Sequence, residues 1–225
     1  MKQNRVVVYA GTRNLYHHMA VAAKSLLIHT KVDRIYFLIE DDEFPEPLPD
    51  VIECINVSDQ QFFPHDGPNY KCRWTYMTLI RLALPFIFPE EKRVLWLDVD
   101  TLVVEDISEI FDTDFEDCFV AAVVEPERSS KPFVYFNAGV LLMDLEKLRE
   151  GKCQEWIDYI NTHKLTFTDQ DCINLLCQGK IKPISPIYNS CEWTHEPDDR
   201  KIVHYAGDNN WHRRFLFRRY EGSIQ

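Results

Sequence analysis

Asp98 and Asp100 stand one residue apart where an apolar run, Val94-Leu-Trp-Leu97, stops. Side chains two apart share a face of an extended chain, so both carboxylates can offer hard oxygens to one divalent cation. His204, just before Tyr-Ala-Gly207, supplies an imidazole, a good third ligand for manganese beside two carboxylates. Each has a plainer reading: solvated acids at a strand end, and a structural histidine. Asp169-Gln170 opens an apolar helix, where it either aims a carboxylate and an amide at a reacting centre or, with Thr168, caps the helix. Asn137-Ala138-Gly139 joins an amide that donates and accepts to small residues that let a ligand approach the backbone. The turn Ala10-Gly11-Thr12-Arg-Asn-Leu-Tyr16 is either a nucleotide cradle or an ordinary strand–helix connection.

These residues need elements to carry them. The run ending at Asp98 follows the charged turn 89–93 and reads as a buried strand, whose carboxyl end in an open α/β sheet is a ligand-binding edge. Residues 5–10, 34–39 and 51–57 read as further strands, and 17–28 as a helix by its apolar spacing. Residues 41–49 and 58–70 read as loops, and 74–84 as a helix stopped by Pro85. Beyond residue 100, strands are expected over 119–124, 139–143 and 201–205, and residues 136–138 either open the second of these or form a turn entering it. Asp144 is a plausible N-cap for a helix over 145–149, and 153–162 and 169–177 look helical. Pro183, Pro186 and Pro197 break the region after 180. The alternation predicts an α/β fold with a mixed, mostly parallel, Rossmann-like sheet flanked by helices. No linker is visible, so one domain is expected over 1–225. It has a nucleotide-type half to about 105, a less regular half over 106–212 and a short basic segment, 213–225.

Composition narrows the function. The 225 residues are 45% hydrophobic and 13% aromatic, enough for a proper core. A net charge of −11 argues against nucleic-acid binding; Arg213, Arg214, Arg218 and Arg219 are the local exception. Seven cysteines, an odd number with no C-x-x-C pair, read as reduced thiols of a cytoplasmic protein. Val6–Ala10 is too short for a signal peptide core, and no stretch approaches the roughly 18 apolar residues of a membrane span. The first turn lacks both G-x-G-x-x-G and a phosphate loop.

In this order the motifs Leu97-Asp98-Val99-Asp100, Phe136-Asn-Ala-Gly-Val-Leu-Leu-Met-Asp144, Asp169-Gln-Asp-Cys-Ile-Asn174 and His204-Tyr-Ala-Gly207 resemble glycosyltransferase family 8. The helix Tyr76–Pro85 matches more loosely, and the resemblance covers about residues 5–211. It implies the A-type glycosyltransferase fold and a retaining transfer of glucose or galactose from a UDP-hexose. It places Mn2+ or Mg2+ on Asp98, Asp100 and His204. The uracil and ribose would lie at Ala10, Thr12 and Tyr16, with the Val99 backbone near the ribose and Arg81 by the donor. Asn137, Ala138, Asp169 and Gln170 would meet the transferred sugar, with Asp169 and Gln170 catalytic. Gly207 belongs to the donor-binding set. The acceptor would be a carbohydrate, glycoprotein or lipid-linked hydroxyl, and a homodimer is open.

Departures leave alternatives standing. The family's histidine motif commonly continues to a lysine on the diphosphate, where this chain has Asn210. Arg213 or Arg214 could substitute, since arginine forks suit phosphate oxygens. The family's longer membrane-associating tails are reduced to one basic segment, His212–Tyr220. That segment is a terminal helix docked by Phe215, Leu216 and Phe217, a phosphate contact, or a seat for an anionic acceptor or lipid. A sugar-nucleotide nucleotidyltransferase, or a catalytically weak UDP-sugar-binding protein, remain the alternatives.

Overall fold

Apolar runs of five or six residues become covered strands, and their alternating side chains split the core in two. The computed structural model describes residues 4–130, 132–191, 199–222 and 224, so the expected break at Pro197 lies outside the described residues. Strand β1 (Val6–Ala10) leads through a turn into α1 (Tyr16–His29), β2 (Arg34–Ile39) and β3 (Ile52–Asn56). A 3-10 helix (Tyr76–Ala83) and α2 (Leu84–Ile87) precede β4 (Arg93–Leu97) and β5 (Thr101–Val103). There follow β6 (Val120–Val124), β7 (Phe136–Asp144), α3 (Leu145–Lys147), α4 (Cys153–Thr162) and α5 (Thr168–Leu176). The described chain closes with β8 (Ile181–Pro183), β9 (Ile202–His204) and α6 (Phe215–Arg219).

The main sheet runs β3-β2-β1-β4-β7-β6-β8. Its first four strands are parallel, β7 is antiparallel to β4 and β6, and β8 is parallel to β6. Within β1, Val7 and Tyr9 pack with Met19, Ala22 and Leu26 of α1, while Val6 and Val8 pack on the opposite face with Leu79, Ile80, Trp156 and Ile173. Helices therefore cover both faces, and polar chemistry is left to the strand ends. A separate antiparallel ribbon, β5–β9, pairs Thr101 with His204 and Val103 with Ile202.

The structure decides three local expectations. The helix expected over 74–84 is a 3-10 helix, and Pro85 does not stop it: it sits in the first turn of α2, where its missing N–H costs nothing. Of the two readings of residues 136–138 the strand holds, because β6 runs on beside them after a bulge at Ala122/Val123 and pairs Val124 with Phe136. Neither Thr168 nor Asp169 caps α5. Asp171 instead reaches back to the amides of Thr166 and Phe167, at 3.1 and 2.8 Å. Asp144 does cap α3, accepting from the Lys147 amide at 3.1 Å.

Candidate active site at the carboxyl ends of the central strands

β4 ends at Leu97 and the chain turns at once. The Asp98 amide donates to the Gly139 carbonyl at 2.8 Å, and the Thr101 amide and hydroxyl both donate to the Asp98 carbonyl, at 3.1 and 2.7 Å. Asp98 and Asp100 thus occupy a turn, and their closeness owes nothing to the extended geometry expected of them. The turn feeds β5, whose pairing brings His204 alongside. Ligand atoms of Asp98, Asp100 and His204 all lie within 4.8 Å of one another. His204 Nε2 is 3.2 Å from Asp100 Oδ1, and its Nδ1 is 2.7 Å from Asn189 Oδ1. A Cβ on Gly139 would meet the imidazole Cε1 at 2.2 Å, so glycine is what seats the ring.

Two hard oxygens and an imidazole nitrogen converging from a turn and a ribbon suit Mn2+ or Mg2+, leaving coordination positions for a ligand's own oxygens. Burial by itself would raise the Asp100 carboxyl; the facing His204, by charge and hydrogen bond, outweighs it and holds the acid below its ordinary range. Burial would likewise push the imidazole down, but Asp100, with Asp98 behind it, holds His204 above its ordinary value. A cation at His204 Nε2 would compete there with a proton, so its affinity would fall as pH falls.

Arg81, 2% exposed, organises the other side. Its guanidinium lies 4.5 Å over the Trp96 ring, donates to Asp98 Oδ1 at 2.8 Å and to the Ala138 carbonyl, and pairs through Nε with Asp169 Oδ2 at 3.0 Å. The Trp96 indole donates to the same Asp98 oxygen at 2.7 Å. One cation therefore serves two carboxylates. For Asp169 burial is the larger influence: its carboxyl sits above its ordinary range although Arg81 and Thr168 pull it down. Thr168 itself takes a φ of 34°, rare for a β-branched residue, where the chain turns to present Asp169 and Gln170.

Gln170 accepts from the Ala138 amide at 2.9 Å and turns its NH2 toward Glu125 Oε2 and the Tyr135 hydroxyl, both at 3.3 Å. Asn137 accepts from the Gly139 amide and from Asn189 Nδ2, both at 2.9 Å, and donates to Glu125 Oε2 at 3.3 Å. Metal-type and amide-type residues thus share one buried network.

The first turn lies apart, beside a depression of about 630 Å3 lined by Arg13, Tyr16, Asp41, Asp42, Glu43 and Pro45. Tyr16 donates to Asp41 Oδ2 and accepts from the Glu40 amide, each at 2.8 Å, and its ring stacks on Phe44 at 5.2 Å. At 4% exposure it has little ring surface left on which a base could stack. Ala10 is buried at the end of β1, and Thr12 bonds Asn14 at 2.6 Å. Carboxylates on this rim suit a base and ribose hydroxyls and repel phosphate. Val99 is half-buried in the turn between the aspartates. Gly207, at φ 79°, makes the left-handed bend after His204 that a side chain would resist.

The model of the family described as "Glycosyl transferase family 8" matches residues 6–214. The chain belongs to that family. A putative glycosyltransferase of Haemophilus influenzae is 26% identical over 94% of this chain and 74% of its own length. The glycosyltransferase GlyE of Streptococcus pneumoniae is 29% identical over 82% of this chain but only 47% of its own length. Lipopolysaccharide 1,3-galactosyltransferase of Salmonella typhimurium is 28% identical over 62% of this chain and 50% of its own length. Against these last two the chain spans about half of the relative. The crystal structure of the galactosyltransferase LgtC with donor and acceptor sugar analogs superposes with a TM-score of 0.73, at 23% identity, over 96% of this chain and 93% of that one. The fold is the A-type glycosyltransferase fold.

The glycosyltransferase's basic tail docks by aromatics. Phe217 and Tyr220 pack with Val21 and Leu102, flanked by Trp211 and Leu216. Phe215, expected to be partly covered, is 85% exposed, because α6 spans only five residues and has one buried face. Arg214 lies before α6 and pairs with Asp208 at 2.7 Å; Arg213 is exposed. Asn210 donates its amide to Asp208. No helix among the described residues is long and apolar enough to cross a membrane, and all seven cysteines are free thiols. Glu125 and Asn189 were not singled out in the sequence. Glu125 had a signal, an acid closing an apolar strand as Asp98 does; Asn189, in irregular chain, had none.

Proposed function

We propose that this family member is a retaining, metal-dependent hexosyltransferase that moves glucose or galactose from a UDP-hexose to a hydroxyl of a carbohydrate, glycoprotein or lipid-linked acceptor. The observation that carries this is the Asp98–Asp100–His204 triangle set against the Arg81–Asp169 pair at one sheet edge. Mn2+ or Mg2+ held by the triangle would act as a Lewis acid on the leaving diphosphate. Arg81 keeps Asp98 and Asp169 apart and aimed. The uracil and ribose occupy the Ala10–Thr12–Tyr16 rim, and the Val99 backbone borders the ribose. Gln170, locked at its carbonyl by the Ala138 amide, and Asp169 stabilise positive charge on the sugar. Retention follows if the acceptor arrives on the face the leaving group vacates, with a diphosphate oxygen taking its proton. We place residues 1–225 in one transferase domain and, from its free thiols, in the cytoplasm.

The donor is tested by thermal shift. With Mn2+ present, UDP is expected to raise the melting temperature more than ADP or GDP, since a hundredfold excess over Kd stabilises by about 2.7 kcal/mol. Equal shifts for the three diphosphates would remove uridine selectivity. Gln170→Ala is expected to lower kcat by about tenfold to a thousandfold with UDP affinity nearly unchanged. A large loss of UDP affinity instead would put Gln170 on the nucleotide.

Asn210 favours a second reading, a UDP-sugar-binding protein with weak turnover. Tight UDP-hexose binding with Mn2+, but neither transfer nor hydrolysis, would select it.

A further inference from the structure

The hydrogen bonds around His204 have a polarity that a single fixed donor dictates. The Gly139 amide is a backbone N–H and can only donate, and it donates to Asn137 at 2.9 Å. Asn137 must therefore turn its carbonyl inward. The neighbouring Asn189 reaches that same oxygen at 2.9 Å, so Asn189 must present its NH2 there. Its carbonyl is left to face His204 Nδ1 at 2.7 Å. An acceptor at that distance requires a proton on Nδ1. At the far end Asn137's NH2 meets the carboxylate Oε2 of Glu125, an acceptor as the scheme demands. Asn189 is fully buried, as are Asn137 and His204 to within a few per cent, so no solvent competes for these bonds.

We infer that Asn189 is a positioning residue, which holds the Nδ1 proton of His204 and so makes Nε2 the nitrogen that gives up its proton to a cation beside Asp98 and Asp100. This rests on the metal reading of that triangle. A free neutral imidazole carries its proton on either nitrogen; only one choice leaves a lone pair where the two aspartates converge. Ligand histidines depend on such a partner at the second nitrogen for tautomer and ring direction. Asn189 also joins the histidine to the sugar-side amides, because Glu125 Oε2 takes a bond from Gln170 as well as from Asn137. Gly139 contributes twice, through its amide and through the missing Cβ that gives the ring room.

The experiment compares the parent chain with Asn189→Leu and Asn189→Asp by Mn2+ titration in the presence of UDP, read by the EPR signal of free Mn2+. Leucine removes the acceptor; aspartate keeps an acceptor toward His204 and loses the donor toward Asn137. Asn189→Leu is expected to raise the Mn2+ Kd about 10- to 100-fold, while Asn189→Asp stays within about threefold of the parent in Kd but loses kcat. A Leu variant binding within about twofold of the parent, or an Asp variant losing as much affinity as the Leu variant, would overturn the role. A parent that does not bind Mn2+ with UDP would instead sink the metal reading, and this inference with it. Should Asn189→Leu fail to fold, 15N–1H spectra of the His204 ring in the parent saturated with Mg2+ and UDP decide the matter. A proton on Nδ1 supports the assignment, and a proton on Nε2 overturns it.

Discussion

Asp100→Asn is expected to lower transfer by about a thousandfold or more and to leave the chain folded. A Lewis-acid cation contributes several kcal/mol, and each 1.4 kcal/mol is tenfold in rate. The variant keeps the size of the side chain and a neutral oxygen, but it removes the charge that holds the His204 imidazole above its ordinary value. Its stability has a pH signature. The Asp100 carboxyl is depressed from 3.8, so its contribution is present above about 3.8 and is lost as pH falls through the folded value. The His204 imidazole is raised from 6.5, so its contribution is present below about 6.5 and is lost as pH rises through the folded value. The metal-free parent should therefore exceed Asp100→Asn in melting temperature most clearly between those two values, with the gap narrowing at alkaline pH. Near-normal activity of the variant in chelator would mean that the metal centre lies elsewhere.

Arg81→Met carries the largest expected cost in stability, about 3–5 kcal/mol, the scale for removing one partner of a buried ion pair. Methionine fills similar space but leaves Asp169, whose side chain is 7% exposed, without its counter-charge. It also leaves the Ala138 carbonyl and Asp98 each short of a donor. Burial already raises the Asp169 carboxyl above 3.8, so the fold disfavours its charged form relative to the unfolded chain. A raised carboxyl adds stability below its unfolded value and loses it as pH rises through the folded one. Arg81→Met widens that interval, so denaturant unfolding should show a smaller deficit at pH 5 than at pH 8. A deficit below about 1 kcal/mol at both would show that Asp169 and Asp98 hold without the guanidinium.

Much of the site was legible because its residues close apolar runs. Asp98 ends a strand of Val, Leu and Trp, and a polar group at that boundary must face the sheet edge. Asp144 was legible for a local reason, the capping of its own helix. The Tyr76–Ala83 segment had the right apolar faces, yet periodicity cannot tell 3-10 from α geometry over two turns. Nor could it show that Pro85 opens a turn. For Asn137 the strand and the turn were both open, because Asn and Gly favour turns; tertiary bonds to Glu125 and Asn189 keep it in a buried strand. Asn189 was silent since its meaning lies entirely in partners 15 and 52 residues away.

The ribbon that carries His204 is only three pairs long. Side chains in a strand alternate, so a slip of one residue would send the imidazole to the opposite face and bring Val203 beside Asp100. The irregular chain at Ser190 and strand β7 guard against this from outside. The Ser190 carbonyl accepts from the His204 amide at 2.8 Å, and the bare α-carbon of Gly139 admits the ring in one place. A cation held by both the β4–β5 turn and β9 would therefore also be a rivet through the ribbon. Part of its binding free energy would be the free energy of holding that register, and the chemistry of the centre and the local folding of β9 would be two readings of one equilibrium.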